Sequence, residues 1–239
     1  REAARRAIEK TGPCSFMDLR TLGQFLKADQ YQIRELALVL LRPLASKAAK
    51  LLGPILELTA DDYSSVRKAA SETLRSVGVQ ASQLALLLKY LNTSNTYTIR
   101  VKSIELVAQL GPSANSAWPD LIRATSDDYP AVRNAASKAM TEIGPISIQH
   151  RQFLVDSLRS NSYKVRQLSL RLLARLGALA RPVFFEMFLL VVDDYPSVRE
   201  QALKTCRSVG TDAAMIPQFG KLCGHSNYRL RAESLQFLA

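Results

Sequence analysis

A seven-residue segment returns at a fixed interval along this chain, and that interval constrains the fold more than any other feature. Asp61-Asp62-Tyr63-Ser64-Ser65-Val66-Arg67 recurs as Asp127-Asp128-Tyr129-Pro130-Ala131-Val132-Arg133 and as Asp193-Asp194-Tyr195-Pro196-Ser197-Val198-Arg199, each copy 66 residues after the last. Looser versions fall midway and end at Arg34, Arg100, Arg166 and Arg231. The arginines therefore step by 33 residues five times and then by 32, and one more step back from Arg34 reaches Arg1. A period of this size marks a supersecondary unit stacked on copies of itself. The 239 residues then read as one array in which each unit packs on its neighbours.

With the arginine as position zero, position −1 is always Ile, Val or Leu, position +3 is Ala or Ser, and positions +7 and +10 are apolar with one exception. Steps of four, four and three trace one face of a helix and rule out a strand. The small residue at +3 admits a neighbouring helix closely. Gly12, Gly78, Gly111, Gly144, Gly177 and Gly210 close most of these helices, and Pro13, Pro112 and Pro145 block their continuation. At the other end, Asp, Ser or Asn before the Tyr offers an acceptor to free backbone N–H groups, and Pro130 and Pro196 suit a first helical turn. The other half of each period predicts a less regular helix, near 16–27, 47–59, 80–92, 114–125, 147–159, 180–192 and 212–223. Pro54, Pro119, Pro182 and Pro217 should make several of these start late or bend. Two helices per period give an all-α fold, a right-handed α-solenoid of about seven helix pairs. Its divisions are a partial repeat at 1–12 and repeats at about 13–45, 46–78, 79–111, 112–144, 145–177, 178–210 and 211–239. Because residue 1 already falls inside a helix, a longer parent array is expected.

At this point the residues acquire a family likeness. "DDYPAVRNAASKAMTEIG" resembles the HEAT repeat, in its compact form first associated with phycobilisome lyases, and the likeness runs along essentially the whole chain. It implies little about function by itself, since such arrays serve as scaffolds, adaptors, transport factors and occasionally enzymes. It also implies a ladder of Asp–Arg hydrogen bonds between adjacent repeats. Carried onto this chain, the ladder would use Asp62 with Arg67, Asp128 with Arg133 and Asp194 with Arg199. Asn95, Asn161 and Asn227 replace the second Asp in the intermediate repeats. Seven of the eight tyrosines stand at one repeat position, where they either pack between repeats or form an aromatic edge for bases or a peptide.

Residues fit for catalysis are few. His150 and His225, each placed at the end of a first helix, are the only histidines, and no His or Cys pair has metal-ligand spacing. The Asp-Asp pairs recur at a capping position, which fits structure better than three equivalent active sites. No cofactor is implied. Cys14, Cys206 and Cys223 are odd in number and irregularly spaced, which suits a reduced, intracellular and most simply cytoplasmic setting. No apolar run is long enough to insert in a membrane.

What remains is surface. A net charge of +11 points to acidic partners. The outward slots of the second helices are +1, +5 and +8 or +9. From residue 134 onward they are mostly basic, and Lys138, Arg171 and Lys204 share the +5 slot, with Arg175 and Arg207 a turn further. This row marks the expected groove for an acidic protein partner. Two alternatives remain, both carried by the family likeness. One is a nucleic-acid-binding array with a basic concave face, and the other a lyase like the bilin-attaching relatives. A second candidate surface is "VFFEMFLLVV" at 183–192, whose Phe184, Phe185, Met187 and Phe188 are either covered on both sides or partly exposed for docking.

Overall fold

The computed structural model describes residues 19–239, and among these every regular element is helical. The partial repeat at 1–12, Gly12, Cys14 and the start of the helix expected at 16–27 lie outside them. Two series of helices alternate. The first series is α1 (Leu19–Phe25), α3 (Leu52–Glu57), α5 (Leu84–Thr93), α7 (Trp118–Ala124), α9 (Arg151–Ser157), α11 (Phe184–Phe188) and α13 (Ile216–Leu222). The second is α2 (Tyr31–Leu41), α4 (Ser64–Val77), α6 (Tyr97–Gln109), α8 (Pro130–Glu142), α10 (Tyr163–Leu176), α12 (Pro196–Val209) and α14 (Tyr228–Leu238).

First-series helices are short because most are entered through a 3-10 turn, for example Gly111–Ala117 before α7 and Gly177–Val183 before α11. Pro119 and Pro217 then sit in the first turns of α7 and α13, where a missing N–H costs nothing. The late starts expected from the prolines are thus what the chain does. Second-series helices begin on an extended residue: Tyr63, Tyr129 and Tyr195 have φ near −90°, and their carbonyls accept the N–H of the repeat arginine. Of these, α4, α10 and α12 close on the glycine at position +11, and Gly177 there takes φ 55° and ψ −134°. Position 45 occupies the same slot in its repeat, yet it is alanine, with φ 44° and ψ −125°.

The core follows the repeat numbering. Residues at +3 (Ala37, Ala70, Ser103, Ala136, Ser169, Ala202 and Ser234) are all completely buried. Their small size brings helix axes together. Position +7 is also buried, except at Leu238 in α14.

The described residues form two compact units, 19–121 with Asp127–Gly144, and Ile122–Ser126 with Pro145–Ala239. In the first unit α2 packs directly on α4, and α6 on α8, whereas α4 and α6 barely touch and α6 leans on α3 and α5 instead. In the second unit α10 packs directly on α12, while α12 and α14 barely touch. Second-series helices are therefore paired, not evenly spaced. Position +6 explains the pairing: the earlier helix of each pair has buried Leu40, Leu106 or Leu172, and the later one has Thr73, Ala139 or Thr205. Large faces small. Thr73 also donates its hydroxyl to the Leu38 carbonyl at 2.9 Å, and Thr205 to the Leu170 carbonyl at 3.1 Å, which pins the register of each pair.

In the second unit Phe184 and Phe188 are buried against Phe219 and Phe237, with ring centroids 5.4–5.7 Å apart. Met187 is buried as well. Phe184, Met187 and Phe188 of the apolar run at 183–192 are therefore covered by their neighbours, while Leu189 at its far end is exposed. No described helix is long and apolar enough to cross a membrane.

Candidate functional site

Each helix pair is locked at one end by the same four side chains. Arg34 donates Nε and Nη2 to the two carboxylate oxygens of Asp61, at 2.8 and 3.0 Å. Arg100 holds Asp127 through the same fork (2.9 and 2.9 Å), and Arg166 holds Asp193 (2.7 and 2.8 Å). Beside each fork two tyrosine rings stack: Tyr31 on Tyr63 at 4.1 Å, Tyr97 on Tyr129 at 4.8 Å, Tyr163 on Tyr195 at 4.5 Å. The guanidinium lies 5.5–6.0 Å from the second ring of each stack, within cation–π range. Six of the seven column tyrosines thus pack between repeats, though Tyr63, Tyr129 and Tyr195 remain nearly half exposed, and Tyr228 is exposed with no stacked ring among the described residues.

This arrangement corrects the ladder that the family likeness implied. Asp62, Asp128 and Asp194 are exposed and receive no hydrogen bond from Arg67, Arg133 or Arg199. Those arginines curl back instead, each giving Nη1 to two main-chain carbonyls of its own turn: Asp61 and Asp62, Asp127 and Asp128, Asp193 and Asp194. The rung is made by the first Asp, at −6, with the arginine one repeat earlier. That Asp also accepts the N–H of the following Tyr at 2.9 Å, so it caps the turn before the helix and not the first helical N–H groups. Among the described second-series helices only α14 is capped in the expected way, by Asn227 accepting from Arg229 and Leu230. The deciding signal was in the chain: position −6 is Asp at 61, 127 and 193, but Ala28, Ser94, Ser160 and His225 in the other repeats.

The forks move proton affinities. Around Asp127 and Asp193 partial burial disfavours the charge, but the arginine fork, the Tyr N–H and the nearby second arginine outweigh it and hold both carboxyls below their ordinary range. Arg34 is held above its ordinary value chiefly by its bond to Asp61, and Arg166 chiefly by its bond to Asp193. At partial burial, a bidentate bond of this kind contributes roughly 1–3 kcal/mol.

The basic outward positions fall differently in the two units. In the first, Lys138 on α8 is 79% exposed and lies 3.7 Å from Glu142. Glu72, in the same +5 slot of α4, holds Arg42 at 2.7 Å, and Lys102 pairs with Glu105. In the second unit Arg171 and Arg175 on α10, and Lys204 and Arg207 on α12, are exposed with no acidic partner among the described residues. The Thr205–Leu170 bond sets α10 and α12 in register, so Arg171 and Lys204 occupy equivalent slots on adjoining helices. Four of the five residues in the expected row thus lie on the adjoining helices α10 and α12, and Lys138 belongs to the other unit.

The remaining candidates for chemistry are dispersed. His150 is buried at the start of α9, not at a helix end as its place in the repeat suggested, with Nδ1 3.3 Å from the Ser147 hydroxyl. Its desolvation pulls its pKa down, against a smaller opposing effect of its bond to the Ser147 main chain. His225 is exposed after α13. Burial pushes the Cys206 thiol up to about 12. No three His, Cys, Asp or Glu side chains gather as metal ligands among the described residues.

A family model described as HEAT repeats matches residues 84–174, which span α5 to α10. Residues 84–174 carry HEAT repeats. The array is an all-α solenoid, the fold class expected from the period. Among solved structures, an archaeal HEAT-like repeats protein from Thermococcus onnurineus is 12% identical, over 94% of this chain and 97% of that one, with a TM-score of 0.44. An engineered protein is 18% identical over 99% and 70%, at 0.41. A designed armadillo repeat protein, solved in complex with the peptide (KR)4, is 16% identical over 93% and 98%, at 0.39. No curated protein sequence matches the chain.

Proposed function

We propose that this HEAT array is a non-enzymatic scaffold that binds an acidic protein partner along its second-series helices, with the main contact on α10 and α12. One observation carries the reading. Arg171, Arg175, Lys204 and Arg207 form an exposed cationic stripe without counter-ions among the described residues, whereas in the first unit Glu72, Glu105 and Lys138 are paired and the two remaining outward cations of α4, Lys68 and Arg75, flank the paired Glu72. Unpaired surface charge of one sign steers association with a partner of the opposite sign and weakens with salt. HEAT solenoids commonly offer protein-binding surfaces, and no constellation among the described residues replaces that use with catalysis.

The test is capture of partners by the wild type against a variant carrying Lys138→Glu, Arg171→Glu and Lys204→Glu, repeated at rising salt. Loss of capture in the variant and at high salt is expected, with Lys138→Glu alone having the smaller effect because that lysine is already paired. Retention in the triple variant removes the stripe from the interface. Capture that depends instead on nucleic acid, and disappears on nuclease treatment, makes the array a nucleic-acid binder.

A further inference from the structure

The alternation at position −6 leaves some arginine forks filled and others open. Every repeat arginine among the described residues anchors Nη1 on main-chain carbonyls of its own turn. In Arg34, Arg100 and Arg166 the second edge, Nε with Nη2, then meets a carboxylate of the next repeat at 2.7–3.0 Å. In Arg67 and Arg199 the same edge has no hydrogen-bond partner among the described residues. The residue that would supply one is Ser94 for Arg67 and His225 for Arg199. Ser94 turns its hydroxyl to Thr96, and His225 Nδ1 accepts the Asn227 N–H. The helices on either side, α4 with α6 and α12 with α14, are those that barely touch, so neither edge is covered by close packing.

We propose that Arg67 and Arg199 are carboxylate-docking sites, each taking one Asp or Glu side chain of a bound acidic peptide through the Nε–Nη2 edge. Three properties support this. The guanidinium is already oriented, since two carbonyls at 2.7–2.9 Å fix its Nη1 corner, so little side-chain freedom is lost on binding. The edge matches carboxylate geometry, as the filled rungs show within this same chain. Arginine is also more than the anchor requires: a lysine could serve two carbonyls as a point donor, but only a planar fork leaves a second fixed edge. One charge opposes docking at each site, the exposed Asp62 or Asp194 on the same turn. It also makes a multiply charged phosphate backbone a poorer occupant than a single carboxylate.

These sites share with the stripe on α10 and α12 only the acidic character of the partner, and the two separate experimentally. The probe is a fluorescein-labelled octaglutamate peptide, titrated into the intact chain at low salt and followed by anisotropy. Chemical shifts of the arginine Nε–Hε groups are recorded alongside. Arg67→Lys and Arg199→Lys keep a donor for the carbonyls but remove the fork. Each is expected to weaken binding about fivefold, the effect of one partly exposed charge-assisted pair. Ser94→Asp fills the rung from within. It is expected to raise the melting temperature while abolishing the Arg67 Nε–Hε shift on titration, and Asp62→Asn is expected to tighten binding. Octaglutamate affinity and Nε–Hε shifts unchanged by Arg67→Lys, Arg199→Lys and Ser94→Asp would overturn the docking sites. If affinity is then lost only on Arg171→Glu with Lys204→Glu, the stripe stands alone. The converse pattern leaves the docking sites standing and removes the stripe. Absence of any octaglutamate binding overturns the docking sites, and partner capture by the charge-reversal variant still decides the stripe.

Discussion

Ala45 stands where Gly177 stands four repeats later, and the two residues share a backbone conformation, φ 44° and ψ −125° against φ 55° and ψ −134°. For glycine this region is free. For alanine the Cβ crowds the neighbouring carbonyl, which costs on the order of 1–3 kcal/mol. Residue 45 is exposed, so no packing interaction would be lost with the methyl group.

Ala45→Gly is therefore expected to stabilise the fold by about 1 kcal/mol after the entropy cost of the new glycine, raising the melting point by roughly 2–4 °C. Thermal unfolding by circular dichroism reads this directly. A lowered melting point would mean that the turn at 45 is relaxed.

The filled rungs set an acid limit. The folded pKa values of Asp127 and Asp193 lie below the ordinary 3.8, so the folded state holds their charged forms more firmly than the unfolded chain does. Their contribution is complete above pH 3.8 and is lost as pH falls from there through the lower folded values. Asp127→Asn should cost about 2 kcal/mol at neutral pH, one charge-assisted bond. It should also flatten part of the acid limb in denaturant titrations. An acid limb unchanged in that variant would mean that the Arg100 fork contributes nothing.

His150 works at a higher pH. Its folded pKa lies below the ordinary 6.5, because burial resists its charge. The unfolded chain binds a proton below pH 6.5 while the folded chain refuses it until lower, so stability is unaffected above that pH and falls beneath it. His150→Gln should keep a partner for the Ser147 hydroxyl and show no such decline between about pH 7 and 5. A wild-type profile already flat there would show that the ring protonates freely in the fold.

Thiol labelling separates the two described cysteines. Cys206 is buried with its pKa pushed to about 12, whereas Cys223 is partly exposed. In native buffer Cys223 should react with an aromatic disulfide reagent and Cys206 only on unfolding, because the thiolate is the reactive form. Mass-spectrometric mapping of the labelled peptides distinguishes them. Native-rate labelling of Cys206 would indicate local opening of α12.

The fold was legible in the sequence because the period exposes it. One arginine, one small residue and one glycine per 33 residues placed the second-series helices, and the prolines foretold late starts for the first series. Two things were less legible. The ladder partner depended on whether the first or second Asp of each pair bonds, and on whether its arginine lies in the same repeat or the one before. Spacing alone treats Asp61 and Asp62 alike; three-dimensional stacking separates them. The basic row looked uniform at Lys138, Arg171 and Lys204, yet the residues one turn further on differ. Glu142 follows Lys138 and lies close enough to pair with it, whereas Arg175 follows Arg171 and Ser208 follows Lys204. Counter-ions such as Arg42 on Glu72 come from outside the helix, which a linear pattern does not show.

The pairing of large and small residues at position +6 bears on how an array like this can change length. Excising 33 residues from the middle of a unit would set two helices of the same kind against each other. Thr73 or Thr205 would face another small side chain and leave a void, or Leu40 and Leu106 would collide. Excising 66 residues leaves every seam of a type that already exists. Growth and loss by duplication are therefore quantised in double steps, and a natural or engineered variant of this chain should differ from it in length by whole helix quartets.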